Sequence, residues 1–194
     1  MASVTIITAL MAEAVPIIDF YRLKKQHKQP GLHFFQAADI DLIVCGLGEQ
    51  NTQQGMATYL KTIMDDLPRI WLNVGVAGAL SDPLGSLVWA NYIGDEVISC
   101  PESVNNNPNI KVVSVSKPSS NYQPYILFDM EAKFCLQMIS NNITKHAESE
   151  FYCVKIISDN QLAHQHNIDK KWVMTAIRKQ MQPLSVEINK ILAQ

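Results

Sequence analysis

Asp129-Met130-Glu131-Ala132, with Ile157-Ser158-Asp159 further along, decides how this chain is read. The first tetrapeptide opens a segment with helix spacing, 130–139, whose Phe134, Cys135, Met138 and Ile139 face inward. The second closes a short apolar run, 151–157, of buried-strand character. Each places a carboxylate at the end of a regular element. In layered α/β sheets, ligands collect at the ends of strands and the turns that lead into helices.

The rest of the chain alternates in the same way. Residues 4–10 read as a buried strand, and 12–21 have helix spacing, with Pro16 fitting only in the first turn. Residues 32–38 and 41–45 are two strands joined by a tight turn. A helix starts near Asn51 or Thr52, either of which can cap it, with Met56, Leu60, Ile63, Met64 and Leu67 as its apolar stripe. Residues 69–74 form a strand that the glycine-rich turn 75–78 closes. Residues 87–100 form one long strand or two, bent at Gly94. A polar loop at 101–108, a strand at 110–116 and a loop at 117–124 follow. Two helices, 168–181 and 184–192, end the chain, separated by Pro183. This alternation predicts an α/β protein, a three-layer α/β/α sandwich with a central mixed sheet. No repeat or linker divides it, so 1–194 reads as a single domain.

Bulk properties narrow the function. The 194 residues carry a formal net charge of −2 and are 47% hydrophobic, so no strong field draws in nucleic acid or an anionic membrane. The cluster Arg22, Lys24, Lys25, His27 and Lys28 reads as a solvated face or loop. Cys45, Cys100, Cys135 and Cys153 lack metal-ligand spacing and read as free thiols in a reducing cytosol. The N-terminus enters an apolar strand directly and has no signal-peptide pattern, which points to a cytoplasmic protein. No apolar run approaches membrane-spanning length. Gly46 and Gly48 begin a dinucleotide fingerprint that fails at Asn51. His164, His166 and Asp169 suggest a metal cluster that nothing downstream completes, so no metal is expected.

Asp129-Met130-Glu131-Ala132, Ile157-Ser158-Asp159 and Asn73-Val74-Gly75-Val76-Ala77-Gly78, in their order, resemble the purine nucleoside phosphorylase and nucleosidase superfamily. The resemblance covers most of the chain as one nucleoside phosphorylase-like domain. It implies cleavage of the N-glycosidic bond of a purine, adenosine-like nucleoside, by hydrolysis or by phosphorolysis. It implies no organic cofactor or metal, a small-molecule nucleoside and phosphate as partners, and a homodimer as the family habit.

The resemblance also assigns roles. Glu131 would grip the ribose 2′- and 3′-hydroxyls through charge-assisted hydrogen bonds, with Met130 packed on the sugar. The alternative is a first-turn carboxylate favoured by the helix dipole. Asp159, oriented by Ser158, would protonate the purine at N7 and accept from the 6-amino group. A free aspartate titrates near ~3.9, so acid work at neutral pH needs burial or the bound base to raise it. The alternative for Asp159 is a helix cap or Asx-turn. Gly48, Gly75, Val76, Ala77 and Gly78 would line the substrate.

Three departures stand out. The nucleosidases carry a water-activating glutamate just before the valine of the first helix, and here Ala14 precedes Val15. Glu13, one residue earlier, is the acidic candidate near the nucleophile, but in a regular helix it points elsewhere. The phosphorylases hold phosphate with an arginine and a serine where this chain has Asn73 and Val76, leaving backbone donors at Gly48 and Gly75 to hold an anion. The segment between Gly78 and Met130 is shorter than in the nucleosidases, where it stacks the base on an aromatic. Water is the expected nucleophile, and a nucleoside-binding protein without turnover is the rival.

Overall fold

The computed structural model describes residues 3–26, 31–62, 69–104, 109–142, 149–163 and 168–193. The strands are β1 (Ser3–Thr8), β2 (Lys24–Gln26), β3 (His33–Ala37), β4 (Ile40–Val44), β5 (Arg69–Ala79), β6 (Leu87–Trp89), β7 (Tyr92–Ile93), β8 (Glu96–Val97), β9 (Lys111–Ser114), β10 (Ile126–Asp129) and β11 (Glu150–Asn160). The helices are α1 (Met11–Tyr21), α2 (Gly48–Leu60), α3 (Ala132–Asn142) and α4 (Lys170–Leu192). All strands join one mixed sheet, in which β5 is central.

Period-two alternation along the strands explains the layers. Val4, Ile6, Leu42, Val44, Ile70, Leu72, Val74, Tyr152, Val154 and Ile156 face one side and pack against α1 and α4. Ile7, Ile43, Cys45, Trp71, Phe151, Cys153 and Ile157 face the other and pack against α2 and α3. Strands buried on both faces read as continuous apolar runs, which is how β1, β5 and β11 read. This is the α/β three-layer sandwich with a mixed sheet. No helix among the described residues is long and apolar enough to cross a membrane.

Several local expectations give way. Residues 75–78 are not a turn but the second half of β5, held by parallel pairing to β11 through Ala79. Likewise Ser158 and Asp159 lie inside β11, at an irregularity between Ile157 and Asp159. Pro183 does not split the last helix: it sits on the exposed side of α4 while buried Met181 and Leu184 carry the helix past it. Pro16 lies beyond the first turn of α1, buried, so the core tolerates one missing backbone bond there too. Residues 87–100 form three short strands, with Gly94 at φ +59 between β7 and β8. Part of the basic cluster is the edge strand β2, with Lys24 and Lys25 exposed as sheet edges favour. Ile63, Met64, Leu67, His27, Lys28, His164 and His166 lie outside the described residues.

Candidate active site

β5 creates the site by changing partners. β11 runs along one edge of it from Ile70 to Ala79. The other edge is shared: β1 pairs from Arg69 to Asn73, and β10 meets it only at Gly78. Between them the edge at Val76 is open. A cavity of about 310 Å³ lies there, reached by the start of α1, the start of α3, the end of β11 and the segment after β9. Such a switch point is where an α/β sheet accepts a ligand.

Glu13 fills the gap in the β5 edge. It is the third residue of α1, and helical side chains lean toward the N-terminus. Its Oε2 therefore turns back to accept from the backbone N–H of Ala9 and of Leu10, both at 2.9 Å. Its Oε1 accepts from Val76 N–H at 3.1 Å. Gly75 makes this possible, because a Cβ there would stand 3.0 Å from Oε1. Only 3% of Glu13 is exposed, and it lines the cavity. Burial pushes its carboxyl up, against the pull of the three N–H donors and of Lys155. The expectation that Glu13 points elsewhere is thus corrected, while Ala14 is wholly buried in the α1 core.

Glu131 enters from the loop between β10 and α3. Its Oε1 accepts from Gly48 N–H at 2.8 Å. That bond explains why α2 begins at Gly48, before Asn51 and Thr52: its end has no side-chain cap of its own, and a carboxylate 83 residues away serves. Gly48 is therefore spoken for and does not offer its N–H to an anion. Burial raises the Glu131 carboxyl to about 7, opposed by the Gly48 N–H and Lys155 and reinforced by Asp129 and Glu13.

Beneath both lies a buried ion pair. Lys155 Nζ is 2.7 Å from Asp129 Oδ2 and donates to Asn73 Oδ1 at 2.6 Å. Asp129 also accepts from Ser114 Oγ at 2.5 Å and from Ala132 N–H at 2.9 Å, starting α3. Burial alone would lower the ammonium, but Asp129 and the other acidic neighbours outweigh it and hold it above the usual lysine range. Asn73, at the position compared with a phosphate-binding arginine, is a ligand of this lysine instead.

Asp159 forms the far wall. Ser158 Oγ is 2.6 Å from Asp159 Oδ1, and Tyr122 O–H donates to Oδ2. Across the strands, Phe128 pairs with Gly78 and Gly78 with Asp159, so the three lie side by side. A Cβ on Gly78 would stand 2.6 Å from Asp159 Oδ2 and 2.9 Å from the Tyr122 ring. The bare strand at Gly78 is thus a floor, with an aromatic ring on one side and a carboxyl on the other.

Glu13, Glu131, Met130, Ser158, Asp159, Val76, Ala77 and Gly78 all line this cavity. Gly48 and Gly75 stand behind it, one holding Glu131 and the other making room for Glu13. Lys155, Phe128 and Tyr122 were not foreseen. A lysine inside the apolar run 151–157 was a signal for the first, and an aromatic directly before Asp129 for the second; nothing in the sequence singles out Tyr122 within its loop.

No family model matches the sequence, and no curated protein matches it. Solved structures do match in fold. The chain superposes on the 5′-methylthioadenosine nucleosidase of Arabidopsis thaliana in apo form with a TM-score of 0.71 at 14% identity, covering 100% of this chain and 97% of that one. The 5′-methylthioadenosine/S-adenosylhomocysteine nucleosidase of Helicobacter pylori with butyl-thio-DADMe-Immucillin-A gives 0.72 at 13%, covering 98% and 99%. The futalosine hydrolase of the same organism gives 0.72 at 13%, covering 97% and 98%. From end to end, this chain has the fold of the 5′-methylthioadenosine nucleosidases.

Proposed function

We propose that the protein hydrolyses the N-glycosidic bond of a purine nucleoside of the adenosine class. The observation that carries this reading is that Glu13, Glu131 and Asp159, from three separate parts of the chain, open on one cavity of about 310 Å³. That volume is at the small end of ligand sites, about 300–1,000 Å³, and suits a nucleoside. The fold neighbours named as nucleosidases and as a hydrolase, one of them with an Immucillin ligand, support the same class.

The chemistry distributes as follows. Glu131 accepts from the ribose hydroxyls through the oxygen that Gly48 does not hold, and Met130 packs on the sugar. Glu13 takes a proton from water as its oxygen attacks C1′. The C1′–N9 bond breaks, its electron pair moves into the base, and the carboxyl of Asp159 delivers a proton to N7. The products are the free base and the free sugar. Phe128 flanks the base. Charge develops on the sugar in the transition state, and preorganised carboxylates stabilise it. The same carboxylates oppose entry of a phosphate dianion, which favours water over phosphorolysis.

The reading takes 1–194 as one domain working in a reducing cytosol, where buried free thiols such as Cys45, Cys135 and Cys153 persist. The test is adenine release from adenosine, 5′-methylthioadenosine and S-adenosylhomocysteine, with and without phosphate. Phosphate-independent release supports hydrolysis. Release that requires phosphate overturns it in favour of phosphorolysis, and tight binding without release assigns a nucleoside-binding protein instead.

A further inference from the structure

Tyr122 lines the cavity and donates to Asp159, the carboxyl that a base must reach on the proposed reaction. It belongs to the segment between β9 and β10, of which Pro118, Ser119, Ser120 and Tyr122 line the cavity. That segment is tied down at its ends, by Val115 N–H to Asp129 O at 2.7 Å and Lys111 N–H to Tyr125 O at 2.9 Å. Over 116–122, the hydrogen bonds among the described residues are one internal, Asn121 N–H to Ser119 Oγ at 3.2 Å, and one outward, Tyr122 O–H to Asp159 Oδ2. Among the described residues, that phenol makes the loop's one hydrogen bond across the cavity. Burial and the Asp159 carboxylate push the Tyr122 hydroxyl up, so it stays a donor at neutral pH.

The contact is tight because Gly78 carries no side chain. A Cβ at that position would strike both the Tyr122 ring and Asp159 Oδ2. The oxygen the phenol occupies is one that, on the proposed reaction, must face the base. Its other oxygen is engaged by Ser158. A purine ring seated over Gly78 and beside Phe128 would overlap the Tyr122 side chain.

We propose that Tyr122 is a latch that stands in for the base: its phenol holds Asp159 Oδ2 until a base arrives, and an incoming 6-aminopurine replaces that hydrogen bond with its own N–H and releases the loop. The inference rests on the nucleoside reading above. It makes Tyr122 a specificity-determining residue, because a base must supply a donor to Oδ2 to compensate for the lost phenol. A 6-oxopurine, which presents an acceptor there, meets carboxylate oxygen against carbonyl oxygen and leaves the latch shut.

The test compares Tyr122→Phe with the wild type in two measurements. The ring is kept, so the wall of the cavity is retained. In limited proteolysis with proteinase K without ligand, segment 116–123 of the variant should be cut about 10-fold faster, the effect of losing one charge-assisted hydrogen bond. In calorimetric titration with adenine, the base that the proposed reaction releases and does not consume, the variant should bind about 10-fold tighter, since the base no longer displaces a phenol, and KM for 5′-methylthioadenosine should fall by a like factor. Unchanged cleavage overturns the latch. Binding by both proteins with no gain, or with a loss, in the variant also overturns it and leaves the nucleoside function standing. Failure of both proteins to bind any of adenosine, 5′-methylthioadenosine or S-adenosylhomocysteine overturns the nucleoside reading and this displacement with it.

Discussion

Replacing Lys155 by Met tests whether the floor of the cavity is built on one buried charge pair. The ammonium lies 2.7 Å from Asp129 Oδ2, and the two side chains are 2% and 0% exposed. Methionine keeps most of the volume and removes the charge together with the hydrogen bond to Asn73 Oδ1. Asp129 then keeps Ser114 Oγ and the Ala132 N–H as donors but loses its counter-ion. Removing one member of a buried pair leaves an uncompensated charge and costs about 3–5 kcal/mol. In a chain of this size about 2–4 °C accompanies each kcal/mol, so Tm should fall by roughly 6–20 °C. The double variant Lys155→Met, Asp129→Leu removes both charges and should recover much of that loss, because a buried pair replaced by apolar groups is often neutral. Thermal and urea unfolding of the four proteins completes the cycle. A loss below about 1 kcal/mol for Lys155→Met, or no recovery in the double variant, would refute the reasoning that an unpaired Asp129 dominates.

The other predictions concern the carboxylates. Glu131 is held at about 7 against an ordinary value of 4.5, so its contribution is complete below pH 4.5 and is lost as pH rises through about 7. That loss is on the order of 3 kcal/mol. Glu13 is shifted in the same direction and adds to it. Glu131→Gln keeps an acceptor for Gly48 N–H without the buried charge, and should melt higher than the wild type at pH 8; an equal or lower Tm would count against burial as the cause. The same substitution should weaken nucleoside binding about 10-fold, the worth of a charge-assisted hydrogen bond. Asp159→Asn should cut kcat by about 10²–10⁴ and spare ribose binding, and equal loss of both would deny it the role of acid. Gly78→Ala should abolish nucleoside binding with a stability loss of about 1–3 kcal/mol, because its Cβ meets Asp159 and Tyr122 at 2.6 and 2.9 Å; retained affinity would show that the base sits elsewhere.

The layered fold was readable because it depends on local pattern. β1, β5 and β11 announce themselves as apolar runs, and α1 and α3 as helix-spaced segments. What escaped depends on contacts distant in sequence. Residues 75–78 read as a turn since glycine is the usual turn residue, yet pairing with β11 keeps them extended. α2 read as starting at Asn51 or Thr52 since these are good caps, yet Glu131 caps it from elsewhere. Lys155 sat in plain view inside a strand, but its meaning needs Asp129 and Asn73 beside it. The candidate residues lay on motifs; of the two aromatics at the Asp159 end of the cavity, Phe128 stood directly before one, and Tyr122 had none.

One arrangement connects fold and site more closely than the motifs do. The N-terminal ends of α1 and α2 both lack an ordinary side-chain cap from their N-cap leucines, Leu10 and Leu47. Both are completed by site carboxylates: Glu13 for the first and Glu131 for the second. Orphan helix N–H groups need an acceptor, and a buried carboxylate needs donors, so each solves the other's problem. The consequence is positional. A carboxylate tethered by helix N–H groups loses rotamer freedom before the substrate arrives, and the binding step does not have to supply that ordering. It also means that the two residues cannot be exchanged for hydrophobic ones without unsettling a helix start. A Glu13→Leu variant would therefore report on α1 as much as on water activation. Glu13→Gln keeps an oxygen for the Ala9 and Leu10 donors at the helix start and turns its NH2 only toward Val76 N–H, so it separates the two: lost turnover with unchanged Tm assigns Glu13 to chemistry, and lost turnover with a fall in Tm as large as that of Glu13→Leu assigns it to the helix.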